Sequence, residues 1–265
     1  MTHATGLLDA LGQPHAAVSG EPVRIVSLVP SITELVCDLG LAPYLVGRTG
    51  FCIHPAALVK NIPKIGGTKD VNIEKIRKLA PTHLIVNIDE NEKPTVDKLA
   101  EFIPHIIVTH PIRPADNLPL YALLGGIFNV RPKAQQLAAQ FERARQELPL
   151  PIRPQTVLYC IWKDPWMSVA RDTYIANMLD LIGWKTWQSP SSDKRYPVFE
   201  WSDGLLHSID AVLLSSEPYR FTEEHVDALE KQIGKPVYLV DGELISWYGS
   251  RAIQGLRYLG KLAVG

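Results

Sequence analysis

The sequence predicts an α/β protein made of two parallel-sheet, Rossmann-like lobes joined by a long connecting helix. Three observations predict it. Short apolar runs alternate with helical patterns from Arg24 to Thr109. A stretch from Leu118 to Leu148 carries helical periodicity and no strand signal. A second strand and helix series then starts at Thr156. Repeated β-α units with short loops form a mostly parallel sheet with helices on both faces. The expected division is a flexible lead-in over 1–21, a first lobe over 22–115, a helical backbone over 116–150 and a second lobe over 151–265. A single doubly wound domain with a helical excursion is the alternative.

The elements follow in order. Arg24–Val29 reads as a strand stopped by Pro30. Ser31 is the expected N-cap of the next helix, with Glu34 at capping-box spacing. Leu35, Val36 and Leu39 give that helix its apolar face, and Gly40 ends it. Leu45–Gly47 is a short strand. Asn72 caps a helix through Ile73, Ile76 and Leu79, stopped by Pro81. Leu84–Asn87 and Ile106–Thr109 are strands flanking a helix over Pro94–Phe102. Leu120, Leu123, Leu124 and Ile127 form one helical stripe. Pro132 suits the first turn of a second helix of about 16 residues, roughly 24 Å long, which Pro149, Pro151 and Pro154 end. In the second series Thr156–Ile161, Ala211–Ser215 and Val237–Val240 are strands. Thr173–Ile182, Thr222–Ile233 and Ser250–Leu262 are helices.

Composition narrows the function classes. Of 265 residues, 46% are hydrophobic, enough for one large domain or two lobes. The net charge of −1 gives no electrostatic reason to bind nucleic acid or an anionic membrane. No apolar run reaches the roughly 18 residues of a membrane span. The first 20 residues lack the continuous apolar segment of a secretory signal, and Cys37, Cys52 and Cys160 suggest no disulfide framework. Both point to a cytoplasmic chain as written, with periplasmic residence as the alternative if a signal has been removed.

Ligands of parallel α/β sheets sit at the carboxyl ends of strands. The loops expected there hold Pro30, Phe51, Cys52, His54, Thr68 and Glu90 in the first series. In the second they hold Trp162, Trp166, Glu217, Tyr219, Trp247, Tyr248 and Arg251. Aromatics, glycines and a few polar tips suit a ligand surface, although a lone Trp packs against its own lobe about as often. Arg171 and Arg251 can fork to a carboxylate or phosphate. Cys52 and His54 form a C-x-H pair, a candidate metal-ligand pair. A buried thiol and a hydrogen-bonded His are the commoner outcome. The chain has no G-x-S-x-G, Walker, H-E-x-x-H or G-x-G-x-x-G motif.

The segments "RIVSLVPSITELVCDLG", "VGRTGFCIHP" and "KIGGTKDVNIEKIRKLAPTHLIVN" resemble the N-terminal lobe of the iron-chelate/cobalamin periplasmic-binding family, the helical-backbone metal receptors. "WKDPWMSVARDTYIANMLDLIGW", "AVLLSSEPY" and "LVDGELISWYGSR" resemble its C-terminal lobe, so the likeness spans residues 22 to 262. It implies the class III substrate-binding fold, a cleft between lobes, an ABC permease as partner and no enzyme activity. It implies no required cofactor, and cobalamin, haem or a ferric siderophore as ligand. Its strand-end loops would put Pro30, Phe51, Cys52, Thr68, Trp162, Trp166, Arg171, Tyr196, Trp247, Tyr248 and Arg251 around that ligand. Two other functions stay open. One is a cytoplasmic enzyme or cofactor chaperone using Cys52 and His54. The other is a binder of a free metal ion through Cys52, His54 and a carboxylate such as Glu90.

Overall fold

The computed structural model describes residues 7–20, 22–150, 153–190 and 192–264. The expected breaker Pro151 and the first six residues of the lead-in lie outside them. The chain divides into two compact units. The first comprises residues up to Pro111, Ala115–Gln140 and the three residues Tyr248–Ser250. The second comprises Ile112–Pro114, Phe141–Trp247 and Arg251 onward.

Residues 7–20, expected as an irregular lead-in, instead begin with a β-hairpin. Strands β1 (Leu7–Leu8) and β2 (Pro14–His15) pair antiparallel. The buried Asp9 carboxylate holds the turn by accepting from the amides of Leu11 and Gln13. It also accepts from Val108 N–H, which ties the hairpin to the sheet. A short polar side chain that collects several amides orders a segment whose hydropathy looks featureless.

The first unit then alternates as expected. It runs β3 (Ile25–Ser27), α1 (Pro30–Asp38), β4 (Leu45–Arg48), α2 (Ala56–Val59), α3 (Ile73–Lys78), β5 (His83–Asn87), α4 (Lys93–Ala100) and β6 (His105–Thr109). The strands are all parallel, in the order β4-β3-β5-β6. One cap differs from expectation. Ser31 does not cap α1, because Val29 holds the extended cap position and Pro30 is already helical. Proline lacks the N–H that a first-turn residue has no use for, and its fixed φ suits that turn. Asn72 caps α3 as expected, its side chain accepting from Lys75 N–H at 2.8 Å. Val26, Leu28, Ile65, Ile76, Leu84, Val86, Leu99 and Ile103 make one of this unit's core clusters. Helices α5 (Asn117–Ile127) and α6 (Arg131–Gln146) follow, the latter of 16 residues with Pro132 in its first turn.

The second unit repeats the plan. It contains β7 (Gln155–Trp162), β8 (Met167–Ser168), α7 (Tyr174–Asp180), β9 (Trp184–Thr186), α8 (Asp203–His207), β10 (Ala211–Ser215), α9 (Glu223–Ile233), β11 (Val237–Val240), α10 (Gly242–Ser246) and α11 (Ala252–Leu262). Strands β9, β7, β10 and β11 are parallel in that spatial order, and β8 is a short antiparallel addition to β7. In each sheet the first strand has the second on one side and the third and fourth on the other. Strands β8 and β9 and helices α8 and α10 are too short to leave a periodic signal. The segment 241–251, expected as a loop entering one closing helix, instead holds α10, capped by Asp241, before α11 begins.

Candidate functional site

In a sheet with this strand order the crevice lies where the strand order reverses, outside the carboxyl ends of the two central strands. In the first sheet those strands are β3 and β5. Their exit loops are tied by one side chain, Asn91, which donates to the carbonyls of Leu28 and Thr68 and accepts from Asn87 N–H.

This crevice is filled by the chain itself. Tyr248–Ser250 belongs to the first unit. The Tyr248 hydroxyl donates to Glu90 at 2.6 Å. Gly249 N–H donates to Asn117 Oδ1 at 2.6 Å, and the Tyr121 hydroxyl donates to Gly249 O at 2.8 Å. Gly249 has φ +78°, and a Cβ there would stand 3.2 Å from Ser31 O and from Leu35 Cβ. Only glycine meets both conditions. Burial, then the Glu90 charge, push the Tyr248 hydroxyl well above its ordinary pKa, so it stays a donor. Tyr248 and Glu90, expected on loops of different lobes, are thus bonded to each other. Pro30 opens α1 beside them.

Three large apolar side chains stand exposed at this edge. Phe51 is 64% exposed, Ile53 49% and Ile88 44%. They lie on the exits of β4 and β5, the two neighbours of β3, so the loops are roughly 10 Å apart at about 4.8 Å per strand. Phe51 lies over Gly67, where a Cβ would stand 3.4 Å from its ring. Thr68 lies in the same turn, half-buried. Ile53 and Ile88 carried no weight in the sequence, because an apolar residue in a loop looks the same whether it faces solvent or core.

Cys52 sits beneath this surface and not on it. It is fully buried, and the hydroxyls of Thr33 and Thr49 each lie 3.1 Å from its sulfur. Burial pushes the thiol pKa up despite those hydroxyls, so it is a poor nucleophile and a poor metal ligand. His54 is half-buried beside Pro55. Among the described residues no three His, Cys, Asp or Glu side chains gather to hold a metal ion. The C-x-H pair is thus split, Cys52 in the core and His54 only half-buried in an irregular turn, which the spacing alone did not reveal.

In the second unit the carboxyl edge is largely self-packed. Trp166 is partly buried and packs against the core, stacked on Phe221 at 5.8 Å and edge-on to Trp201 at 5.4 Å. Trp247 is buried. Its Nε1 donates to Glu217 at 2.8 Å, and the Arg251 guanidinium covers its ring at 4.9 Å. Arg251 is also ion-paired with Glu243 at 3.0 Å. Burial raises the Glu217 carboxyl pKa, while donation from Ser246 and Trp247 opposes the rise. Trp162 ends β7, is 40% exposed and meets Tyr219 edge-on at 5.5 Å. Trp162 is the open aromatic surface among the expected tryptophans.

Arg171 is bonded well below that edge. Arg171 Nε donates to Thr186 O, and Thr186 is level with Val157 in the lower half of β7. That is five residues below Trp162, or ~16 Å along the strand. Tyr196 lies on the segment that bonds alongside β8, where Arg195 O and Pro197 O accept from Ala170 and Ser168. The placement of Arg171 was not legible, because the antiparallel turn at β8 reverses the chain before it.

Comparison with known proteins gives the family. The description "periplasmic binding protein" matches residues 25–231. The chain belongs to the periplasmic binding protein family. It is 24% identical over 273 residues to the ABC transporter substrate-binding lipoprotein YvrC of Bacillus subtilis, covering 95% of this chain and 83% of that one. The fold is similar to the periplasmic vitamin B12 binding protein BtuF of Vibrio cholerae (TM-score 0.73, 18% identity, 91% of this chain and 97% of that one). It is also similar to the periplasmic heme-binding protein RhuT of Roseiflexus sp. RS-1 (TM-score 0.75, 22% identity, 92% and 97%). The class III substrate-binding fold is therefore as expected.

Membership overturns the cytoplasmic expectation. The family is periplasmic, and this bacillary relative is a lipoprotein. The cysteines do not argue otherwise. All three are free and buried, and a buried thiol is protected from oxidant in any compartment. No helix of the described residues is long and apolar enough to cross a membrane.

Proposed function

We propose that this protein captures a compact metal chelate of the cobalamin, haem or ferric siderophore kind and hands it to an ABC permease, with no catalytic step. One observation carries the reading. Phe51, Ile53 and Ile88 stand exposed at the carboxyl edge of a parallel sheet whose own crevice is already filled. Large apolar side chains kept in water at a ligand-binding edge are costly unless a ligand covers them. Trp162 and Tyr219 offer a second aromatic surface on the other sheet. The likeness to proteins named for vitamin B12 and heme supports a chelate with extended apolar faces. Cys52, held by Thr33 and Thr49 beneath the surface, serves the fold and performs no chemistry.

The test is titration of the protein with cyanocobalamin, ferric porphyrin and a ferric hydroxamate, followed by absorbance and tryptophan quenching. Saturable binding of at least one below about 100 µM, near −5.5 kcal/mol, is expected. Silence with all three overturns the reading.

A further inference from the structure

The second unit holds an open cavity of its own. Its volume is about 950 Å³, and every lining residue lies between Thr156 and Ser208, within that unit. Arg171, Trp187 and Gln188 meet there with Phe199 and Glu200. Two bonds bring them together. Trp187 N–H donates to Val157 O at 2.8 Å, which continues the pairing of β9 with β7. Arg171 N–H donates to Gln188 Oε1 at 3.2 Å.

The hydrogen-bonding capacity left over at this cavity is donor capacity. Arg171 spends Nε on the carbonyl of the buried Thr186 at 3.2 Å, and among the described residues no acceptor or ion-pair partner takes its Nη1 or Nη2. Gln188 turns its oxygen to Arg171 N–H, so its amide nitrogen is the unspent end. The Trp187 indole N–H also has no acceptor among the described residues. The neighbouring acids do not neutralise Arg171. Asp172 is ion-paired with Arg195 at 3.4 Å, and the Asp210 carboxylate accepts from Thr156 N–H at 2.7 Å. Glu200, the acid among the described lining residues, is exposed and makes no ion pair there. Apolar area comes from Trp187, half-buried, which meets the buried Phe199 edge-on at 6.1 Å.

A guanidinium pinned through Nε still presents Nη1 and Nη2 side by side, the fork that fits both oxygens of a carboxylate. Apolar walls with a few oriented polar groups are the composition of a small-molecule site. We propose that this cavity binds an organic anion, a carboxylate carried on a flat apolar body. Arg171 takes both carboxylate oxygens, Gln188 and the Trp187 indole supply further donors, and Trp187 and Phe199 line the body. The proposal does not depend on chelate capture at the first sheet.

The probes are 2-naphthoate and its uncharged analogue 2-naphthamide, which differ mainly in the charge of the head group. Binding is followed through the indole N–H resonances of isotope-labelled protein, the Trp187 peak being assigned by its loss in Trp187→Phe. Naphthoate is expected to shift the Trp187 peak saturably with a Kd at or below about 1 mM, and the amide to bind at least tenfold more weakly. Arg171→Gln, at an exposed position, should weaken naphthoate at least fivefold, with the other indole peaks unmoved. Glu200→Gln removes the opposing charge and should bind naphthoate at least as tightly as the wild type.

No saturable shift of the Trp187 peak overturns the proposal. So does an amide that binds as tightly as the acid, or a naphthoate affinity unchanged in Arg171→Gln. The comparison of acid with amide uses the wild type, so it decides the proposal even if Arg171→Gln fails to fold. Chelate titrations that stay silent while naphthoate binds leave this site standing.

Discussion

Acid should destabilise this fold through one histidine, and the size of the effect can be worked out. His83 opens β5 and is 6% exposed. It stacks on His105 at 4.6 Å and meets Phe128 edge-on at 5.1 Å. Thr82 Oγ1 lies 2.8 Å from its Nδ1. Burial, then the neighbouring His105 and His15, lower its pKa from 6.5 to about 4. His15 is itself 3.3 Å from the Asp9 carboxylate, which therefore also bears on the cluster. The native state keeps His83 neutral, whereas the unfolded chain accepts a proton near pH 6.5. The stabilisation is fully present above that pH and is lost as pH falls towards 4. The full shift corresponds to roughly 3 kcal/mol, of which about 2 kcal/mol is gone by pH 5.

The perturbation is His83→Asn, which removes the titration and keeps a polar atom for Thr82. Urea unfolding of both proteins at pH 7.5 and pH 5 is the assay. The wild type should lose about 2 kcal/mol more than the variant between the two. Equal losses would refute the reasoning, because they would mean that the ring either is solvated or carries its proton in the folded state.

The other expectations are these. Tyr121→Phe leaves the buried Gly249 carbonyl without its 2.8 Å donor and should cost about 1–3 kcal/mol in chemical denaturation. Gly66→Ala places a Cβ 2.3 Å from Asp70 O at φ +113°, so the variant should lose well over about 2 kcal/mol or fail to accumulate folded. Phe51→Ala, at a side chain 64% exposed, should change stability by no more than about 0.5 kcal/mol, yet weaken chelate binding at least about tenfold. The three thiols, all buried, should resist an aromatic disulfide reagent in native buffer and all react in denaturant; a fast-reacting Cys52 would revive a nucleophilic role.

The sequence by itself determined the fold class. Periodicity is a local property, so the alternation of strands and helices, the strandless middle, the Asn72 cap and the stop at Gly40 could all be read from neighbouring residues. The list of strand-end loops followed from the same alternation. It placed Phe51, Glu90 and Trp162 at strand ends, where the structure has them. Burial and partnership are not local. Only the tertiary structure decided that Trp166 and Trp247 are packed, that Cys52 lies beneath the surface and that Arg171 lies well below the edge. Tyr248 illustrates the reason most directly. Its loop reads as part of the second strand and helix series, yet its hydroxyl meets Glu90, 158 positions earlier in the chain. Side-chain pairing at that separation depends on how the chain returns through space, and no window of sequence contains it.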